Sequence, residues 1–144
     1  MTETGFVPKA RYMMRALELA AQAAAMGEVP VGAVVVQKST GRIIGEGYNR
    51  READRSPLAH AEIMAIDAAS RTLGGWRLLD SALYVTLEPC PMCAGAILHA
   101  RLEQVVYGTA DPKGGAVDSV EQLFTLPYNW TPEVHAGLLQ AECA

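Results

Sequence analysis

The chain has 144 residues, half of them hydrophobic and 19% charged, which suits one folded domain and excludes a disordered chain. No apolar run approaches the ~20 residues of a membrane-spanning helix, and the polar start after Met1 carries no basic-then-apolar signal segment, so the expected location is the cytoplasm, away from membranes. Twelve basic against sixteen acidic residues give a net charge of -4, the opposite of the basic footprint expected of a strongly electrostatic nucleic-acid binder.

In chain order, Met13, Leu17, Ala20, Ala21 and Ala24 recur at helical spacing within 9–26, and Gly27 and Pro30 close that helix. A β-branched run predicts a strand over 31–37, paired through Ser39-Thr40-Gly41 with a second over 43–48. A polar loop spans 49–57. The next helix is predicted over 60–72, with Ile63, Ile66 and Ala69 on one face and Gly74-Gly75 as its stop. A strand over 82–87 follows, then a helix over 91–100 that opens with proline, where a missing N–H costs nothing. A fourth strand covers 105–108. Beyond a loop at 111–115, a short helix is predicted over 119–124, capped by Asp118 or Ser119. Residues 127–132 read as irregular, 133–135 as a short last strand, and 137–144 as the start of another helix. Strands separated by helices need crossovers, so the chain is expected to form one α/β domain over 1–144, its sheet partly parallel with helices on its faces.

The three cysteines are Cys90, Cys93 and Cys143. An odd number without a signal segment argues against a disulfide framework, and Cys143 reads as a small apolar side chain. The Cys90–Cys93 spacing alone fits a metal site, a redox pair or an accident. Two segments decide between these: His60-Ala61-Glu62 and, thirty residues on, Pro89-Cys90-Pro91-Met92-Cys93. Each opens a predicted helix, where side chains and free N–H groups project past strand ends and thiol pKa values fall. One histidine and two cysteines make three ligands. A structural zinc normally has four, so three leave a position for water, whose pKa falls to about 7. Glu62 does not share a helical face with His60. It is expected to reach the metal from the first turn, near the pocket mouth, as a proton shuttle rather than a ligand. The combination is the signature of zinc nucleobase deaminases, and a thioredoxin-like pair is disfavoured because Cys90 has a partner in His60. His99 reads as an ordinary helix residue, and His135 has no assigned role.

With these motifs, the chain resembles the bacterial tRNA-specific adenosine deaminases, the TadA family of the cytidine/deoxycytidylate deaminase superfamily, nearly end to end. The likeness runs through Glu28-Val29-Pro30-Val31-Gly32-Ala33, Gly45-Glu46-Gly47-Tyr48-Asn49-Arg50, His60-Ala61-Glu62-Ile63-Met64-Ala65, Leu83-Tyr84-Val85-Thr86-Leu87-Glu88-Pro89-Cys90 and Asp111-Pro112-Lys113-Gly114-Gly115-Ala116. The resemblance implies a cytidine-deaminase-like three-layer fold, a mixed five-stranded sheet with helices on both faces. It implies a homodimer with one zinc ion per subunit on His60, Cys90 and Cys93. The implied reaction converts adenosine to inosine at the wobble position of a tRNA anticodon stem-loop. Zinc hydroxide attacks C6, and Glu62 carries the proton to the ring and then to the leaving ammonia. Asn49 matches an asparagine that hydrogen-bonds the target base, although an asparagine after a strand equally suits a turn. Ala61 and Leu87 match positions beside the base. Arg50 and Arg51, which with Arg55 otherwise read as a solvated loop, become phosphate contacts.

Two departures stand out. The family usually has Asn-His-Arg where Asn129-Trp130-Thr131-Pro132 stands here. Asn129 is retained as a substrate contact, while Trp130 suits either stacking on an unpaired base or packing on a dimer surface. The acidic excess lies after Arg101, with six acids and one base in 102–144 against eleven bases and ten acids before it. In the family a helix rich in aromatic and basic residues continues past this point and contacts the anticodon stem-loop. The expectation is therefore a shortened C-terminal helix, intact zinc chemistry, and weaker, less salt-dependent tRNA binding. Two other readings stay open. One is a deaminase of a free nucleobase or nucleoside, of guanine or cytosine type. The other is a non-catalytic zinc-stabilised module, which needs a fourth ligand that the sequence does not offer nearby.

Overall fold

The computed structural model describes residues 5–144. Helix α1 (Ala10–Ala25) leads into a hairpin of β1 (Gly32–Gln37) and β2 (Arg42–Tyr48). Then come α2 (Ala61–Leu73), β3 (Ser81–Leu87), α3 (Pro91–Ala100), β4 (Gln104–Thr109), a 3-10 turn at Leu123–Thr125, β5 (Glu133–Ala136) and the four-residue α4 (Gln140–Cys143). The strands form one sheet in the order β2-β1-β3-β4-β5. β1 runs antiparallel to β2 and β3, whereas β3, β4 and β5 are mutually parallel. A parallel pair needs a crossover, and α3 supplies the one between β3 and β4.

Alternate strand residues face opposite sides of a sheet, and here both sides are covered. Val35, Leu83, Val85 and Val105 pack with Ala65, Ala69 and Ile97 of α2 and α3. Val34, Val36, Tyr84 and Val106 pack with Met13, Ala16 and Leu19 of α1, and with Leu138, Leu139 and Cys143 from the chain's last residues. The result is the expected three-layer α/β arrangement with a mixed five-stranded sheet. Burial on both faces explains why β1, β3 and β4 read as continuous apolar runs rather than alternating ones.

Helix α2, which carries half of the site, lies unusually close to β2. A Cβ on Gly47 would stand 2.4 Å from the Ala61 carbonyl oxygen and 2.7 Å from the Ala65 nitrogen. Only glycine permits that approach, which seats the first turn of α2 against the end of β2. Among the described residues, no helix is long and apolar enough to cross a membrane.

The chain departs from expectation over 119–124, where no α-helix forms and only Leu123–Thr125 makes a 3-10 turn. The two expected caps are committed elsewhere. The Asp118 and Ser119 N–H groups both donate to Glu88, and the Asp118 carboxylate accepts from the Tyr107 hydroxyl. The last helix begins only at Gln140, after Leu139 in the left-handed conformation at φ 53°.

Candidate active site

The N-termini of α2 and α3 meet at one end of the sheet. His60 and Cys90 immediately precede these helices in extended backbone, with φ and ψ of -84° and 151°, and -77° and 174°, and neither side chain caps its helix. Their carbonyls start the helices by accepting from Met64 and Ala94, which leaves the imidazole and thiol free to face one another. Cys93 lies in the first turn of α3 and is buried. His60 Nδ1 is 3.6 Å from Cys90 Sγ and 3.5 Å from Cys93 Sγ, and all three donor atoms lie within 4.8 Å of one another.

That triangle can be tested against zinc. Tetrahedral coordination with Zn–S of about 2.3 Å and Zn–N of about 2.0–2.1 Å separates nitrogen from sulfur by about 3.6 Å. Both separations agree. Thiolate and imidazole are also the donors that favour zinc. Among the described residues no fourth histidine, cysteine or carboxylate joins the cluster, so a coordination position stays open. Together, His60, Cys90 and Cys93 could hold a zinc ion, as expected of a zinc-binding site.

The thiols are electrostatically unequal. The Cys90 thiol is drawn down to about 5, chiefly by its hydrogen bond with Cys93 and further by His60, while the same bond and burial push Cys93 up. The pair alone stabilises one negative charge, and a cation between them is what makes both thiolates. Glu62, the second residue of α2, is only 4% exposed. It therefore sits deeper than the pocket mouth. Burial lifts its carboxyl to about 7, against a hydrogen bond from its own backbone N–H.

A cleft of about 170 Å³ opens over this centre, lined by Val29, Val31, Asn49, Arg51, His60, Glu62, Leu87, Glu88, Cys90 and Asp111. It brings Asn49, His60, Glu62, Leu87 and Cys90 together, with Cys93 completing the triangle. Ala61 is fully buried, and its N–H donates to Asn49 Oδ1 at 2.9 Å. Asn49 thus caps α2 from a distance through its oxygen, and its amide donors remain for a ligand. Arg50 does not line the cleft. It pairs with Asp54 at 3.0 Å and donates to the Tyr48 hydroxyl. Its neighbour Arg51 does line the cleft and has no ion pair among the described residues. Asn129 is exposed on a separate groove along α3, beside His99, Arg101 and Tyr128. The Trp130 indole donates to the Leu102 carbonyl at 2.8 Å, and its half-buried ring packs against the core.

Two buried glutamates hold the loops around the cleft, and neither was singled out from its residue type. Glu88, 2% exposed, accepts the N–H groups of Asp111, Val117, Asp118 and Ser119 at 2.7–3.0 Å, and also the Ser119 hydroxyl. Burial alone would raise its carboxyl, but these bonds hold it near 2. Gly115 leaves it room, since a Cβ there would lie 2.3 Å from the Glu88 carboxyl carbon. Glu28 does the same for the 49–57 loop, accepting from Glu52 and Ala53 at 3.0 and 2.9 Å. The available signal was a glutamate wedged between an apolar strand and Pro89, because a buried charge requires several donors. Glu88→Ala leaves four backbone donors without their acceptor. It is expected to cost about 3–5 kcal/mol in urea unfolding of the zinc-loaded protein, whereas a loss below about 1 kcal/mol would mean that other contacts hold the loop.

The sequence pattern of the cytidine and deoxycytidylate deaminase zinc-binding region matches residues 8–109. A tRNA-specific adenosine deaminase of Bacillus subtilis is 47% identical over 133 residues, covering 92% of this chain and 81% of the relative. One of Haemophilus influenzae is 51% identical over 134 residues, covering 92% of this chain and 77% of the relative. A solved structure from a study of A-to-I editing by tRNA:A34 deaminases at the wobble position superposes with a TM-score of 0.90 at 44% identity, over 94% of this chain and 97% of that one. A guanine deaminase from Nitrosomonas europaea is similar at a TM-score of 0.77 and 27% identity, over 96% of this chain and 82% of that one.

Proposed function

We infer that this chain, which belongs to the cytidine and deoxycytidylate deaminase family, deaminates adenosine to inosine at the wobble position of a tRNA anticodon. The observation that carries this reading is a three-donor zinc triangle beside a buried carboxyl, in a chain whose likeness to tRNA adenosine deaminases runs nearly end to end. Residues 1–144 work in this reading as one deaminase domain in the cytoplasm.

His60, Cys90 and Cys93 hold the metal. A zinc ion bound there supplies a nucleophile from water at neutral pH. Glu62 accepts a proton from the attacking water and passes it to the purine ring. It then takes the proton of the new C6 hydroxyl and delivers it to the departing amino group, so adenosine and water become inosine and ammonia. Asn49, its oxygen fixed by the Ala61 N–H, donates from its amide nitrogen to the purine edge. Val31 and Leu87 provide apolar walls. The small cleft takes one base, so the nucleotide enters unstacked from its neighbours.

The test is to incubate the zinc-loaded protein with an anticodon stem-loop bearing a wobble adenosine, and separately with free adenosine, cytidine and guanine. Inosine in the RNA is expected. Deamination of guanine or cytidine with the stem-loop untouched overturns the reading in favour of a free-base or nucleoside deaminase.

Arg51 provides the phosphate contact at the cleft edge, in place of Arg50. Arg51→Ala is expected to raise KM for the stem-loop severalfold with kcat unchanged, and to reduce the slope of log affinity against log salt by about 1. Arg50→Ala should leave that slope nearly intact, since its partner is Asp54; the reverse ranking would return the contact to Arg50.

The homodimer forms through the outer face of α2 and α3, where Ile63, Ile66, Trp76 and Ala96 border a groove of about 500 Å³. Helix α3 is apolar nearly all round, as in helices covered on every side. Ala96→Arg is expected to convert a dimer into a monomer in sedimentation at micromolar concentration. A wild-type monomer, or an unaltered dimer in the variant, would remove this face from consideration.

A further inference from the structure

Glu28 stands at the junction between the end of α1 and β1. Gly27, in the left-handed conformation at φ 78°, turns the chain there. The Gly27 and Glu28 N–H groups return to the Ala24 and Ala23 carbonyls at 3.0 Å each, which closes the helix in a Schellman turn. The backbone of Glu28 is thus fixed to α1, and its side chain reaches across to the 49–57 loop. It is only 8% exposed, and a carboxylate so buried needs donors. One of its oxygens, Oε2, accepts both the Glu52 N–H at 3.0 Å and the Ala53 N–H at 2.9 Å, and Oε1 lies 3.2 Å from the Glu52 nitrogen.

That loop carries Asn49, Arg50 and Arg51, and the first two are anchored by their own bonds. The Asn49 N–H donates to Val31 and its side chain holds the Ala61 N–H; the Arg50 N–H donates to Ala59 and its guanidinium pairs with Asp54. Arg51 instead extends its side chain to the cleft, so the place of its guanidinium depends on its backbone. The peptide that follows Arg51 is one rigid plane. Its N–H, on Glu52, donates to Glu28, and its C=O, on Arg51, accepts from Ser56 at 3.1 Å. Glu28 therefore grips one end of the plane from which Arg51 projects. Glu28 does not line the cleft, but Val29, the next residue, does. The same carboxylate ties the wall that Val29 forms to the wall that bears Arg51.

We propose that Glu28 is a positioning residue for the RNA substrate, aiming Arg51 at the phosphate of the nucleotide that enters the cleft. The proposal rests on the phosphate role given to Arg51 above. Its effect belongs to capture of the stem-loop and not to the chemical step. Glu62 and the zinc ligands belong to the starts of α2 and α3, whereas the Glu28 carboxylate bonds to the loop.

The experiment measures binding and steady-state deamination of the anticodon stem-loop by the full zinc-loaded chain over a range of salt. Glu28→Ala is expected to raise KM severalfold, as far as Arg51→Ala does, and to reduce the slope of log affinity against log salt by about 1, with kcat and zinc content unchanged. Glu28→Gln should stay close to the wild type, because a single oxygen in the place of Oε2 serves both amides. Glu28→Asp keeps the charge but ends about 1.5 Å short, one bond length. It should follow Glu28→Ala, and it carries the test if Glu28→Ala fails to fold. Glu28→Ala combined with Arg51→Ala should raise KM no further than either alone, since groups that act through one contact are not additive. A wild-type KM in Glu28→Ala and Glu28→Asp, with Arg51→Ala impaired, overturns the role of Glu28 alone. So does a double variant whose KM rise is the product of the single ones, or a loss in Glu28→Gln as large as that in Glu28→Ala. Normal KM and salt slope in Arg51→Ala overturn the phosphate role of Arg51, and the proposal with it.

Discussion

Glu62→Gln is expected to lower kcat by about 100- to 10,000-fold, the usual contribution of a general acid–base group, while zinc remains at one per subunit. Glutamine fits the space of the carboxyl and keeps its hydrogen-bonding reach, but it cannot carry a proton. The metal should be indifferent, because the zinc triangle consists of His60, Cys90 and Cys93 and does not include Glu62. KM should change little, since in the proposed mechanism the adenine is held by Asn49 and the apolar walls. Near-normal turnover in the variant would remove Glu62 from the reaction. Loss of zinc together with activity would make it a ligand instead.

The pH profile provides a second reading of the same residue. Glu62 must be ionised to accept a proton from water, so activity is present above its pKa and lost as pH falls through it. Burial places that pKa at about 7 before any metal charge acts, and a bound cation shifts it downward. Wild-type kcat/KM is therefore expected to fall on the acid side with an apparent pKa below 7. The residual rate of Glu62→Gln should lack that limb. An acid limb of equal position in the variant would assign the titration to another group.

The zinc centre was legible because its information is local. Each motif opens a helix, and a helix start aims its side chains past the sheet whatever the rest of the chain does. Even the apparent difficulty of His60 and Glu62, two residues apart and on different helical faces, dissolves for a local reason. His60 is not helical. Its ψ of 151° leaves it in extended backbone, so the rotation of 100° per residue starts only at Ala61, and both side chains reach the same cleft. What was not legible depends on partners distant in sequence. Asp118 and Ser119 look like helix caps, but Glu88, about thirty residues earlier, takes their donors. Asn49 looks able both to donate and to accept, but its oxygen is held by the Ala61 N–H. Arg50 and Arg51 are alike as residue types. The first has Asp54 four residues on and turns to it; the second does not. Trp130 offered stacking or packing on a dimer surface, and its N–H bond to the distant Leu102 carbonyl was not legible from its residue type. The net charge of -4 is likewise a sum over distant parts. It averages an acidic C-terminal part with an N-terminal part where Arg51 stands at the cleft edge.

Cys93→Ala is expected to reduce zinc from one per subunit to nearly none and to abolish deamination of the stem-loop. With two donors left, the tetrahedral set that matched the 3.5 and 3.6 Å separations no longer exists. Metal that binds only the folded protein at about a thousand times its dissociation constant contributes about 4 kcal/mol. Its loss should lower the melting temperature of a chain this size by roughly 10 °C. Thiol labelling separates a ligand from a redox pair. In the zinc-loaded wild type, Cys90 and Cys93 should resist alkylation, and Cys143, half-buried with its thiol pushed up to about 11 by burial, should react slowly. Chelation should expose one fast thiol, Cys90, which the Cys93 hydrogen bond holds at about 5 when no metal is bound. Cys143→Ala should leave zinc and turnover unchanged. Full zinc and activity in Cys93→Ala would place the metal elsewhere. A Cys90–Cys93 disulfide forming in the active protein without metal release would make the pair a redox couple, and the open coordination position, with the hydrolytic chemistry resting on it, would lose its basis.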